Sequence, residues 1–176
     1  MSDEKATEQL EQEKQVAESY EKLTRKEYAL KVPRNESLIY AIKKALATIK
    51  ASEKTDKLAD EIKKAEQKLH EAENNLIEAT LVPLSAMDLI LIQSYIAEAS
   101  LRAEEASFDD DVRLFMLLKA EQCATVYLSV RRSNDLKTRY FTKQESVVLL
   151  DEMTIRSIVL AYRKAFVIED GARKNS

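Results

Sequence analysis

The residues able to do chemistry are few. His70 is the only histidine of the 176 residues and Cys123 the only cysteine. On a helix, Glu66 and Glu73 flank His70 at one-turn spacing. One imidazole with helix-surface carboxylates is a poor ligand set for a transition metal, so a solvated histidine is expected. Cys123 sits in the apolar run VRLFMLLKAEQCATVYLSV, where a small buried side chain is expected rather than a thiolate nucleophile. A single glycine, Gly171, cannot build a phosphate-cradling loop. Arg131, Arg132, Lys137 and Arg139 gather around RRSNDLK with Tyr140 and Phe141 beside them. That is the one patch suited to nucleic acid, although four basic residues in a net-acidic chain are more often a solvated turn or partners of Asp109–Asp111. No catalytic residue, metal or cofactor is expected, and an enzyme is the least favoured class.

Composition narrows the rest. Charged residues make up 34% and hydrophobic ones 45%, with one Gly and two Pro, which suits a mostly helical chain. The net charge of -3 is spread evenly, without the basic excess typical of nucleic-acid binders. One cysteine fits a reducing, cytoplasmic setting, and the polar start MSDEKATEQLEQ does not read as a signal peptide. The apolar stretch Leu81–Leu101 contains Pro83, Asp88, Gln93 and Glu98, so a core helix is expected there rather than a membrane span.

The positioning elements follow from periodicity. Leu58, Ile62, Ala65, Leu69, Ala72, Leu76 and Ala79 recur with spacing 4, 3, 4, 3, 4, 3, a narrow seam held for three heptads. Leu38, Ile42, Ala45 and Ile49 repeat the pattern, which predicts an antiparallel αα-hairpin joined through residues 52–56. Part of the second seam then lacks an internal partner. Leu69, Ala72, Leu76 and Ala79 are the expected grip for another helix, together with Leu10, Ala17 and Tyr20 of the N-terminal arm. Tyr28, Leu30 and Val32 alternate as a strand ended by Pro33, and residues 80–84 form a second extended piece.

Ser85 and Asp88 should cap a helix that buries Met87, Leu89, Ile90, Leu91, Ile92, Tyr95 and Ile96. Asp109–Asp111 open another helix, expected at the centre of the core. The segment 125–130 reads as helix or strand. Thr142 and Glu145 form a capping-box pattern, and the last helix carries Ile155, Ile158, Val159, Tyr162 and Phe166. The expected architecture is mainly α. A polar helical or disordered arm spans 1–26, and the heptad αα-hairpin with flanking short strands spans 27–84. A C-terminal helical core spans 85–168, and a flexible tail spans 169–176.

The order of these pieces resembles the tail assembly chaperones of long-tailed bacteriophages. EYALKVP, a heptad hairpin ending IEAT, then LVPL with S-A-M-D opening an apolar helix are similar to that family. So are F-T-K-Q-E and the terminal A-Y-R-K-A-F. The resemblance implies a non-catalytic protein of the host cytoplasm that binds the tape measure protein or another tail protein, with self-association possible. The alternatives are an oligomeric structural component of a phage particle, or a small nucleic-acid-binding regulator using Arg131, Arg132, Lys137 and Arg139.

Overall fold

A computed structural model describes residues 27–51 and 56–166. The structure is mainly helical with a small four-stranded antiparallel sheet. Strand β1 (Tyr28–Pro33) leads into α1 (Glu36–Ala51) and α2 (Asp56–Asn74) before β2 (Leu76–Leu81) returns beside it. A second helical pair, α3 (Ala86–Glu105) and α4 (Asp110–Ser129), separates β2 from β3 (Val130–Arg132). β4 (Asp135–Arg139), the short α5 (Glu145–Val148) and α6 (Glu152–Phe166) complete the described chain. The strand order in space, β1-β2-β3-β4, is the order in sequence.

Period-two alternation sorts the sheet into two faces. Tyr28 faces Leu81, Leu30 faces Ala79 and Val32 faces Ile77, so the apolar set of both strands lies on one side. Val130 continues that side opposite Leu81. Cys123 and Val126 of α4, Phe141, Val147 and Ile155, Ile158 and Val159 of α6 cover it, forming the main core. Tyr28 meets Phe166 edge to face, with ring centroids 5.1 Å apart. The opposite side of the sheet is polar and includes the Lys31–Glu78 ion pair at 2.9 Å. The sheet therefore runs across the boundary expected at residue 84, and the two halves share one core.

Three expectations on the first half are corrected. The seam of the second helix stops at Asn74, because Leu76–Leu81 is strand. β2 buries Ile77, Ala79 and Leu81 by alternation, and pairing against β1 outweighs two more heptad positions. The seam of α1 is also shifted: Ile39 and Leu46 are buried, whereas Leu38 is 46% exposed and Ala45 is exposed. Ile39, Ile42, Leu46 and Ile49 share the inward face, one residue round from the expected set at Leu38 and Ala45. The reason is that α1 packs on α6 as well as α2, which rotates the stripe that needs cover. Finally, the strand expected over 80–84 starts at Leu76.

In the second half, α4 runs to Ser129 and β3 starts at Val130, which resolves 125–130 in favour of helix with a strand at its end. The Thr142–Glu145 capping box does not form. Gln144 already has helical φ and ψ, and the Lys143 and Gln144 carbonyls accept from Ser146 and Val147 instead. The cap of α6 is Asp151, whose carboxylate accepts from Thr154 N at 3.2 Å. That same oxygen accepts from Ser37 N at 3.1 Å, and Thr154 Oγ1 accepts from Glu36 N at 3.2 Å. One carboxylate thus serves the N-termini of both α1 and α6. Asn35 supplies the remaining cap of α1, its Oδ1 accepting from Leu38 N at 2.9 Å. The arm, with Leu10, Ala17 and Tyr20, and the tail at 169–176 lie outside the described residues.

Candidate functional site

The α3–α4 hairpin is held at four points. Ser85 and Asp88 form a reciprocal capping box at the start of α3: Ser85 N donates to Asp88 Oδ2 (3.0 Å), and Asp88 N donates to Ser85 Oγ (3.1 Å). At its end Phe108 N bonds Ala103 O (3.2 Å) and Ser107 N bonds Glu104 O (3.0 Å). This is a Schellman closure with Ser107 at the left-handed position, φ 54°. Asp109 then caps α4 through Val112 N at 2.8 Å. Arg113 ties the two helices together by an ion pair to Glu104.

Only part of this hairpin is covered. The second half of α4, Cys123 to Ser129, is buried except for Tyr127. Ile92 of α3 packs with Ala124 and Leu128 in a small second cluster. Toward the turn the apolar side chains face solvent. Leu114 and Phe115 are each 57% exposed, and Val112, Leu118 and Phe108 are also exposed. Two expectations fail here. α4 is central only in its second half, and of the residues expected to be buried in α3, Met87, Leu89 and Ile90 are exposed. The described chain supplies no element over them.

The exposed face of α3 is ordered. Met87, Ile90, Ser94, Ala97 and Leu101 are all exposed and recur with spacing 3, 4, 3, 4. That is a heptad seam, large at its ends and small in the middle, directed away from the core. Tyr95, Ala99 and Arg102 lie about 100° further round the helix. They line a cleft of about 630 Å³ whose other walls are Phe115, Met116 and Val148. Cys123 closes the floor of this cleft; burial pushes its thiol up, and Lys119 offsets part of the effect. Lys119 is itself paired with Glu152, whose carboxyl is held down by that hydrogen bond.

The residues expected to grip a partner are placed elsewhere. Leu69 and Ala72 are half-buried on the inward side of α2, which packs on α1. Leu76 belongs to β2, and Ala79 is 3% exposed inside the main core, so Ala79 presents nothing to a partner. The signal for the α3 seam was in the sequence, but the surrounding Leu89, Leu91 and Ile92 hid it within a continuous apolar run.

The basic cluster is divided. Lys137 and Arg132 are exposed on the β3–β4 hairpin, Arg139 stacks on Tyr127, and Arg131 is half-buried. His70 is exposed and within 3.1 Å of Asn74 Nδ2. Among the described residues no group of three or more His, Cys, Asp or Glu is arranged to hold a metal ion. None of the described helices is long and apolar enough to cross a membrane. Comparison with protein-family models, with curated proteins and with solved structures returns no match.

Proposed function

We propose that the protein is a non-catalytic assembly chaperone that holds a helical client, the tape measure protein of a phage tail being the kind of client the sequence resemblance implies. The observation that carries the reading is the solvent-facing seam Met87, Ile90, Ser94, Ala97 and Leu101. A narrow heptad stripe is suited to another helix rather than to a small ligand, and the small Ser94 and Ala97 allow a close backbone approach. The adjoining cleft gives larger client side chains a place beside Phe115 and Met116. Exposed apolar surface on this scale marks an interaction site more often than an accident of packing. The reading moves the expected grip from Leu69–Ala79 to α3.

Co-expression with a tape-measure client provides the test. The client should stay soluble and co-purify with the chain, whereas Ile90→Glu and Ala97→Glu, both at exposed positions, should release it and leave thermal stability within about 0.5 kcal/mol. A client equally soluble with and without the protein would sink the proposal. So would a seam that proves to be occupied by a second copy, seen as a dimer that the same two substitutions dissociate.

A further inference from the structure

We propose that the turn end of the α3–α4 hairpin receives the basic end of an amphipathic helix supplied by another protein. The site extends the α3 seam, so the proposal rests on the chaperone reading and adds the charge of the client and where that charge sits. Leu101 at the end of the seam is exposed, as are Phe108 in the turn and Val112, Leu114 and Phe115 on α4. Carboxylates stand one helical turn from these apolar side chains. Glu105 follows Leu101 by four residues, and Asp110 and Asp111 precede Leu114 and Phe115 by four. All three acids are exposed.

The net charge of the chain collects at this end. From Glu98 to Arg113 there are six acidic and two basic side chains, a net of -4 against -3 for all 176 residues. Both basic residues are used internally, Arg102 with Glu98 and Arg113 with Glu104. Glu105 and Asp109–Asp111 have no cationic partner among the described residues. The fold accounts for the aspartates: Asp109 caps α4, and Asp110 and Asp111 lie in its first turn, where the helix dipole favours negative charge. It does not account for Glu105, which ends α3 where the dipole disfavours an anion. An unpaired acid at the wrong end of its helix, one turn from an exposed leucine, gains from a cation that a partner brings.

The same charges choose the occupant. Among the described residues no group of three or more His, Cys, Asp or Glu is arranged for a metal ion, and nucleic acid or an anionic bilayer would be repelled. A second copy is a poor match, because α3 carries no basic residue before Arg102. An antiparallel copy of α3 brings no cation to Glu105, and a parallel one sets acid against acid. The chain's own Lys22, Arg25 and Lys26 precede Glu27 at the opposite end. Tyr28 packs on Phe166, and Leu84 N bonds the hydroxyl of the neighbouring Tyr162, so β1 begins where α3 begins. α3 is about 30 Å long, and the stretch from Lys22 to Glu27 reaches roughly 18 Å at most. A cationic helix from another protein is the occupant left.

The test uses the full chain with labelled Ile, Leu and Val methyl groups, titrated with three synthetic peptides. Each peptide carries one Leu/Ala heptad seam, and the positions flanking it are all Lys, all Gln or all Glu. The Lys peptide should shift the methyl signals of Ile90, Leu101 and Val112. At low salt it should bind about tenfold more tightly than the Gln peptide, and that advantage should shrink as salt is raised. Combining Glu105→Gln with Asp110→Asn and Asp111→Asn should remove the advantage without weakening the Gln peptide, and Glu61→Gln on α2 should leave it in place. The comparison among peptides on the wild-type chain needs no variant to fold. Equal affinity for the Lys and Gln peptides, with Ile90 shifting in both, would overturn the choice of a basic partner and leave the seam standing. Failure of all three peptides to move Ile90 would overturn the seam as well.

Discussion

Asp151 joins the starts of two helices that are over a hundred residues apart in sequence. Burial raises the pKa of its carboxyl, but hydrogen bonds from Ser37 and Thr154 outweigh this and hold it below the ordinary value. A depressed carboxylate contributes stability that is present above its unfolded pKa and is lost as pH falls through the folded one. Stability should therefore decline below about pH 4, where an ordinary aspartate begins to protonate. Asp151→Asn should flatten that decline, and Asp151→Ala should cost about 1–2 kcal/mol at neutral pH, as measured by urea unfolding. Ser107 gives the opposite expectation. Its left-handed backbone is adopted at no steric cost by glycine, so Ser107→Gly should raise stability by about 1 kcal/mol. A lower melting temperature for that variant would show that the Schellman turn is not what fixes the residue. Ser129 is a third case: its Oγ is buried without a partner among the described residues, and Ser129→Ala should be neutral or stabilising by about 1 kcal/mol.

At the scale of elements, the sequence was most informative where local chemistry decides. The strand Tyr28–Pro33, the Ser85–Asp88 cap and the apolar face of α6 could all be read directly, because alternation, capping and i, i+3, i+4 spacing act over a few residues. The heptads misled where a competing partner lay far away in sequence. Leu76 and Ala79 continue the helical spacing, and Ile77, Ala79 and Leu81 equally satisfy a strand. β1, over forty residues upstream, decides between them. The candidate seam on α3 was hidden for a related reason. Hydropathy states that Met87 and Ile90 would gain from cover, and it is silent on whether this chain supplies it. Hydrogen exchange offers a check on the elements: the turn-proximal half of α4 should exchange faster than Cys123–Ser129, and a client helix on α3 should slow the exchange of both helices near the turn.

Among the described residues, the molecule is a sheet whose first three strands are each separated by a pair of helices. Arg34 N bonds Asn75 O at 2.9 Å, so the base of the first helical pair closes directly onto the β1–β2 ladder. The sheet covers its apolar face with α4 and α6 and leaves its polar face with Lys31, Glu78, Thr80 and Arg131.

Because the strands line up in the order of synthesis, each can be laid down on its predecessor as the chain emerges. The roof of the sheet comes last. β2 is complete at Leu81, yet Ile155, Ile158 and Val159 arrive with the final described helix, after a delay of roughly 4–17 s at about 5–20 residues per second. Asn35 can cap α1 at once, but the second cap waits longer still, since Asp151 belongs to the same late segment. A nascent chain stalled on the ribosome before α6 emerges would show an unroofed sheet and a fraying first helix. Protease accessibility of such stalled chains should drop abruptly, in one step, once residues 151–166 clear the exit tunnel.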